Sequence, residues 1–385
     1  MTRVAGPWID APETQAVCAM LEEAGHEAYL VGGCVRNALL NEPVGDVDIT
    51  TDAHPERVIA LAEAAGLKPV PTGIDHGTVT VIANGTPFEV TTFRKDVETD
   101  GRHAVVSFAE DITSDARRRD FTVNALYARR DGTVLDPLGG MADITDRRIR
   151  FIDDAELRIR EDYLRILRFF RFYAWYGDPE GGLDRDGLAA CADLADGIDG
   201  LSRERIGAEM RKLLAAPDPA PAVAAMRQAG ALSHVLPGST DAALSLLIHL
   251  EIASGVDPDP IRRLACLGGE SVDTALRLSR AEARDFARIR AGALGSATAG
   301  ELGYRLGPDR GRDALLLRAA LMEQGVRDSE LADITRGARA VLPVSATDFM
   351  PDLSGPELGA KLKDLETAWI ASDFTLDRDT LLQEG

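Results

Sequence analysis

Long apolar runs are absent from the 385-residue chain, so no segment is suited to span a bilayer and no membrane partner is expected. The opening MTRVAGPWIDAPET lacks the charged-then-apolar layout of a secretion signal, which makes the cytoplasm the expected compartment. Cysteine is scarce. Cys18, Cys34, Cys191 and Cys266 lie far apart, with no CxxC pair and no neighbouring histidine, which argues against a disulfide framework or a zinc knuckle and predicts reduced thiols. The six histidines form no His-Asp dyad, so a metal phosphohydrolase activity is not expected, and His76 in GIDHGTV reads as a turn residue. Positive charge is in deficit: Lys and Arg total 43 against 63 Asp and Glu, a net charge of −20. That balance argues against binding polyanions over the whole surface, and no DNA partner is expected, but it leaves room for one basic strip.

What is present divides the chain in two styles. In the first third, short β-rich runs (EAYLVGG, DVDITT, TVTVIAN, PFEVTTF) are separated by Gly, Pro or Asn. HPERVIALAEAAG reads as an amphipathic helix ending on Gly66. After about residue 145 the Val- and Thr-rich runs give way to helical patterns rich in Ala, Leu and Arg. LRIREDYLRILRFFRFYAWY reads as one such segment, SRERIGAEMRKLLAA as another, and PDPAP as a rigid break between helices. The expected fold class is α+β: a small mixed α/β head followed by an all-α remainder.

Asp46 and Asp48 lie two residues apart in GDVDITT, a spacing that turns both side chains to one face of a strand. Adjacent carboxylates repel and invite a cation, and hard oxygen donors favour Mg2+ completed by substrate phosphates. A lone pair of this kind often sits solvated at a strand end, so its neighbourhood decides. Just upstream, Gly32 and Gly33 close a strand and open a helix, where bare backbone and free N–H groups suit a phosphate. Arg36 falls one turn later and can add its donors. Together these describe a nucleoside-triphosphate site. Glu89, a charge among β-formers in PFEVTTF, is the candidate third carboxylate to position or deprotonate an attacking hydroxyl; an edge-strand charge facing water is the competing reading.

The segments LVGGCVRNALL, DVDITT, RRRDFTVNALY, DPLGGMADI, REDYLRILRFFRF and LSRERIGAEMRKLL resemble, in order and spacing, the class II CCA-adding enzyme and bacterial poly(A) polymerase family. The likeness is good over roughly the first 215 residues; beyond them only the helical style and PELGAKLKDLETAW are similar. One departure is Asn37, where the family usually carries Asp; it lies outside the metal pair and is expected to matter little. The resemblance implies a nucleotidyltransferase-type catalytic head over 1–145, a helical neck over 146–215 and an all-α, tRNA-binding body and tail over 216–385. It implies that Gly33 and Arg36 hold the triphosphate, that Asp46 and Asp48 bind Mg2+, that Arg119 contacts the nucleotide, and that Asp120 and Asn124 shape the sugar pocket.

Asp162, Arg165, Arg168 and Arg171 recur every three residues, on or near one helix face. By themselves such pairs are common surface decoration. The resemblance assigns Asp162 and Arg165 to choosing the incoming base, and the chemistry fits. A carboxylate accepts from the exocyclic amino group of cytosine or adenine, while a guanidinium donates to ring acceptors. Uracil and guanine would oppose a carbonyl to the carboxylate, a mismatch of ~1–3 kcal/mol when buried. From Arg147 to Arg171, eight arginines face five acids, a basic strip along which RNA phosphates can run.

The implied reaction is addition of CCA to a tRNA 3′ end from CTP and ATP, by in-line attack on the α-phosphate with release of pyrophosphate. A poly(A) polymerase, an A-adding specialist and a non-catalytic RNA-binding protein are the alternatives. TTFRKDVETDGRHAVVSF (91–108) resembles the flexible loop needed for the final adenosine, which disfavours a CC-only enzyme. The short acidic end LDRDTLLQEG lacks the basic extension of mRNA-directed polymerases.

Overall fold

The structure, a computed structural model, describes residues 2–100, 103–109 and 111–383, with backbone only at 95–100 and 103–106. It divides into two compact units, one of residues 1–209 with 225–235 and one of 210–224 with 236–385. Among the described residues no helix is long and apolar enough to cross a membrane.

The first unit is built on a seven-stranded sheet: β1 (Ala28–Val31), β2 (Asp48–Thr51), β3 (Lys68–Gly73), β4 (Thr78–Ala83), β5 (Thr86–Thr92), β8 (Tyr127–Ala128) and β9 (Val134–Leu135), in the order β3-β4-β5-β2-β1-β8-β9. Four of its strands, β1, β2, β4 and β5, are those expected from the β-rich runs; β3, β8 and β9 lie outside them. β1, buried along its whole length, runs antiparallel to β2, and β2 runs parallel to β5. β6 (Arg94–Asp100) and β7 (His103–Phe108) form a separate antiparallel hairpin. The expected flexible loop falls on this hairpin, and its residues Gly101 and Arg102 lie outside the described residues.

DPLGGMADI proves to be a brace. Asp136 accepts the Gly140 and Met141 amides at 2.7 and 3.0 Å, and a Cβ on Gly140 would sit 2.5 Å from the Thr122 carbonyl. Asp143 accepts from Thr122 at 2.6 Å and pairs with Arg148 and Arg150. The RRRD segment is thereby held from behind.

The expected single helix over LRIREDYLRILRFFRFYAWY is instead two, Ala155–Glu161 and Leu164–Tyr176. Asp162 between them is extended (φ −157°, ψ 105°), and its Oδ1 accepts the Leu164 amide at 3.1 Å. A short acidic side chain that caps the next helix ends the previous one, so the continuous i,i+3 charge pattern breaks here. The second helix packs through Phe169 and Phe172 against Phe121 and Phe151, with ring centroids 5.1 to 6.3 Å apart. Such pairs add ~0.5–1.5 kcal/mol each beyond burial.

The second unit is all helical, as expected, and its polar core is ionic. Arg262 donates to Glu251 and Asp313, each at 2.7 Å, and Arg263 grips Glu251 and the carbonyls of Leu214 and Ala216. All four charged side chains are at most 2% exposed. The last two bonds cap the chain end of helix Arg203–Leu214, just before the PDPAP break. All four cysteines are free and buried, and burial pushes Cys18 up to about 12 and Cys34 to about 11.

Candidate active site

β1 runs out at Val31, and Gly32 takes φ +72°, a left-handed conformation natural to glycine. Helix Gly33–Leu40 starts directly after it. A Cβ at Gly32 would stand 3.4 Å from Arg119 Nη1, an ordinary contact, so it is the left-handed backbone that calls for glycine here. A cavity of about 330 Å³ opens over this turn. Gly32, Gly33, Arg36 and Asp48 wall one part of it; Arg119, Asp120, Asn124, Asp162, Arg165 and Arg168 wall the rest. Asp46, Glu89 and Arg171 are not among its walls, whereas Arg118 and Phe172 are walls that the sequence reading missed.

The carboxylates gather at the strand ends. Asp48 opens β2, opposite Val31 on β1 and Glu89 on β5. The expectation that Asp46 shares that strand is corrected: β2 begins at Asp48, where the β1 ladder ends at Val31 and gives way to the glycine turn, and Asp46 lies exposed just before it. Glu89 is exposed on the open side of its strand. Burial raises the Asp48 carboxyl above its usual range, the charges of Glu89 and Asp46 push it further, and Arg119 opposes them. A divalent cation relieves that repulsion, and the donors are oxygen only. Among the described residues no group of three or more His, Cys, Asp or Glu forms a ready metal cage. Magnesium does not need one, since it is commonly held by one or two carboxylates with substrate phosphates and water. The residues therefore fit the ion.

A polar chain crosses the cavity floor. Arg36 is buried, donating from Nη1 to Asn124 Oδ1 at 2.5 Å and from Nη2 to the Tyr176 hydroxyl at 2.9 Å. Asn124 Nδ2 donates to Asp120 Oδ1 at 2.8 Å, and Arg168 donates to Asp120 Oδ2 at 2.7 Å. Burial opposes ionisation of Asp120, but Arg168 and Asn124 hold it below the usual carboxylate range. Arg119 is fixed by Asp115 at 3.1 Å and the Tyr127 hydroxyl at 3.2 Å, which outweigh burial and keep it charged. Arg118 takes the other Asp115 oxygen at 2.8 Å.

The residues expected to read the base differ from their anticipated pairing. Asp162 and Arg165 do share the cavity, but each has another partner. Asp162 Oδ2 accepts from Arg205 at 2.6 Å. Arg165 Nη1 donates to Glu161 at 2.5 Å, and its Nη2 donates to the Arg118 carbonyl at 3.1 Å. Arg171 turns to Glu209 at 2.5 Å, off the cavity. The physical reason is the helix break: once Asp162 leaves the helix, its carboxylate faces Arg205 rather than the arginine three residues on. Glu161 and the RRR run were visible signals for two of these partners; Arg205 lies 43 residues away and carried none.

Comparison with known proteins sets this geometry in a family. A model described as "Poly A polymerase head domain" matches residues 28–150, and one described as "Probable RNA and SrmB- binding site of polymerase A" matches 183–243. The mouse mitochondrial CCA tRNA nucleotidyltransferase 1 is 32% identical over 384 residues, covering 96% of this chain and 88% of that protein. The chain belongs to the CCA tRNA nucleotidyltransferase family. Within that family, the CCA-adding enzyme of Geobacillus thermodenitrificans is 42% identical over 224 residues, 58% of this chain and 54% of its own. The crystal structure of the Bacillus stearothermophilus CCA-adding enzyme in complex with CTP superposes with a TM-score of 0.74 at 29% identity, covering 94% of this chain and 93% of that one. In this chain the head thus carries a cavity walled by the glycine turn, Asp48 and the Asp162–Arg165 segment.

Proposed function

We infer that this chain is a CCA tRNA nucleotidyltransferase that adds CCA to tRNA 3′ ends from CTP and ATP, without a nucleic-acid template, releasing pyrophosphate. The observation that carries the reading is the meeting of Gly32–Gly33, Asp48 and Asp162–Arg165 around one cavity in a chain of this family. The triphosphate lies on the glycine turn, where the helix N-terminus and Arg36 supply donors. Arg119, already fixed and charged, neutralises the phosphate from the facing wall. Asp120 and Asn124 form the floor beneath the sugar, held by Arg168. Asp162 accepts the amino group of C or A, and Arg165 donates to the ring acceptors beside it. For either residue to do so, its present partner, Arg205 or Glu161, gives way or shares.

Enzymes of this class generally use divalent metals, and we assign Mg2+ to Asp46 and Asp48. When bound, the ion supplies positive charge at the α-phosphate and lowers the pKa of the attacking 3′-hydroxyl. Glu89, next to Asp48 across the strands, is assigned to orienting that hydroxyl. The division into head (1–145), neck (146–215) and tRNA-binding body and tail (216–385) is part of the same proposal. Free, buried thiols support a reducing compartment, and we assign the reaction to the cytoplasm.

The test supplies one nucleotide at a time. On tRNA ending at the discriminator base, CTP alone should add two residues and stop; on tRNA ending in CC, ATP alone should add one. Failure to use CTP would leave an A-adding specialist, and continued adenosine addition a poly(A) polymerase.

A further inference from the structure

Tyr163 is where the break between helices Ala155–Glu161 and Leu164–Tyr176 is made. Asp162 before it is extended, whereas Tyr163 already has helical backbone (φ −60°, ψ −15°). The Ile166 amide bonds back to the Tyr163 carbonyl at 3.1 Å, so the second helix takes its start from this residue. The seat of the Tyr163 side chain therefore bears on the direction in which the Asp162 carboxylate leaves the chain. That carboxylate has little slack, since its two oxygens hold the Leu164 amide at 3.1 Å and Arg205 at 2.6 Å.

The seat is Gly197. A Cβ built there would fall 1.9, 2.0 and 2.6 Å from Tyr163 Cδ1, Cε1 and Cγ, inside the ring. Two of these atoms stand at the base of the side chain, not at a free end that can swing aside. The Gly197 backbone is not left-handed, so the ring and not the chain conformation calls for glycine. Gly200, in the same turn, has open space where a Cβ would go. The turn Ala195–Gly200 is a fixed platform: Ala195 and Ile198 are buried, and the Gly197 and Leu201 amides bond back to the Leu194 and Ile198 carbonyls at 3.1 and 3.0 Å. Close packing of this kind transmits a displacement instead of absorbing it. A ring pushed off its seat withdraws support from the first turn of the helix and from the peptide it shares with Asp162.

We propose that Tyr163 and Gly197 are a positioning pair for base selection: the ring, seated on bare glycine backbone, fixes the helix break and so aims the Asp162 carboxylate at the incoming base. This rests on the reading that Asp162 accepts the amino group of C or A. The pair acts on the base end of the nucleotide and not on the phosphates, so its loss should cost selectivity while phosphate binding persists.

The test measures kcat/KM for CTP and UTP on tRNA lacking CCA, and inhibition by inorganic pyrophosphate, in single variants and one double variant of the full-length enzyme. Y163A should lower the preference for CTP over UTP about tenfold, within the ~5- to 150-fold worth of a whole base contact. Its pyrophosphate inhibition constant should stay within about twofold of wild type, because sites without shared partners act independently. Y163F keeps the ring and should select as wild type. G197A should lose selectivity as Y163A does. Removing the ring removes the collision, so G197A/Y163A should select no worse than Y163A alone. G200A should match wild type. Wild-type selectivity in Y163A, an equal loss in Y163F or G200A, additive losses in the double variant, or a parallel loss of pyrophosphate inhibition would each overturn the proposal. D162A separates the two layers. If it blurs selectivity while Y163A does not, only the role of the pair fails; if it selects as wild type, the reading of Asp162 fails and the proposal with it. Melting curves report folding, and should G197A or Y163A melt below the assay temperature, the other carries the test against Y163F and G200A.

Discussion

Asp162 divides its carboxylate between the Leu164 amide and Arg205, and that division governs what its loss should cost. Asp162→Ala should blur discrimination against UTP and GTP by the worth of one base contact, ~1–3 kcal/mol in kcat/KM. It should also slow every nucleotide, since a loosely held base misplaces the α-phosphate. Arg205→Ala leaves the carboxylate present but unaligned, so it should erode selectivity less than D162A does. Selectivity in R205A worse than in D162A, across all four nucleotides, would contradict this assignment. Asp48 presents the plainer case. Asp46→Ala or Asp48→Ala should abolish incorporation while melting temperature and most tRNA affinity persist, and normal turnover in either would remove the metal-site assignment. Both residues were legible in the sequence, as were Asp46 and Glu89 beside Asp48, but Arg205, the partner of Asp162, was not. GxxR and DxD spacings are local, whereas Arg205 reaches Asp162 across 43 positions of chain.

The short helix Ile112–Arg117 matters out of proportion to its length, because Asp115 on it anchors both Arg118 and Arg119. Burial would raise the Asp115 carboxyl, yet Arg119, Arg118 and the Tyr127 hydroxyl bring it down to about 2. A folded-state pKa below the unfolded value means stability that is present above the unfolded pKa and lost as pH falls through the folded one. Asp115 therefore contributes fully above about pH 4 and progressively less toward pH 2. Asp115→Asn should lower the melting temperature at neutral pH, with about 3 kcal/mol lost because two cations lose their partner. The gap between variant and wild type should close on going from pH 5 to pH 2.5; a constant gap would mean that charge is not what Asp115 contributes. The hairpin of β6 and β7 occupies the stretch expected to serve the final adenosine. Shortening it should leave addition of the two cytidines largely intact and suppress the adenosine, as read on sequencing gels; equal loss of all three would assign it to general stability. Strand periodicity made β1, β2, β4 and β5 readable, whereas the stretch of this hairpin read as a loop. The helix break at 162 was not readable, because arginines at i+3 spacing look the same whether one helix or two carries them.

Across the whole molecule, a net charge of −20 coexists with a nucleic-acid substrate because the basic residues are concentrated and their pairing is selective. In the first unit, arginines with acidic partners wall the cavity around Arg36. In the second, buried Arg262 and Arg263 serve packing, each bound to Glu251. Composition alone could not separate arginines that face substrate from those that hold the fold. The α/β head and helical remainder followed from pattern period; the ionic core did not, because buried charge contradicts the hydropathy signal that such reading uses. The central claim is that protein side chains, with no template strand, specify three nucleotides and then stop. The most direct measurement gives the enzyme tRNA lacking its terminal CCA together with all four nucleoside triphosphates, and sequences the product 3′ ends. The account predicts one dominant product ending in CCA, without further extension. An adenosine ladder, or uridine and guanosine incorporated freely, would contradict it.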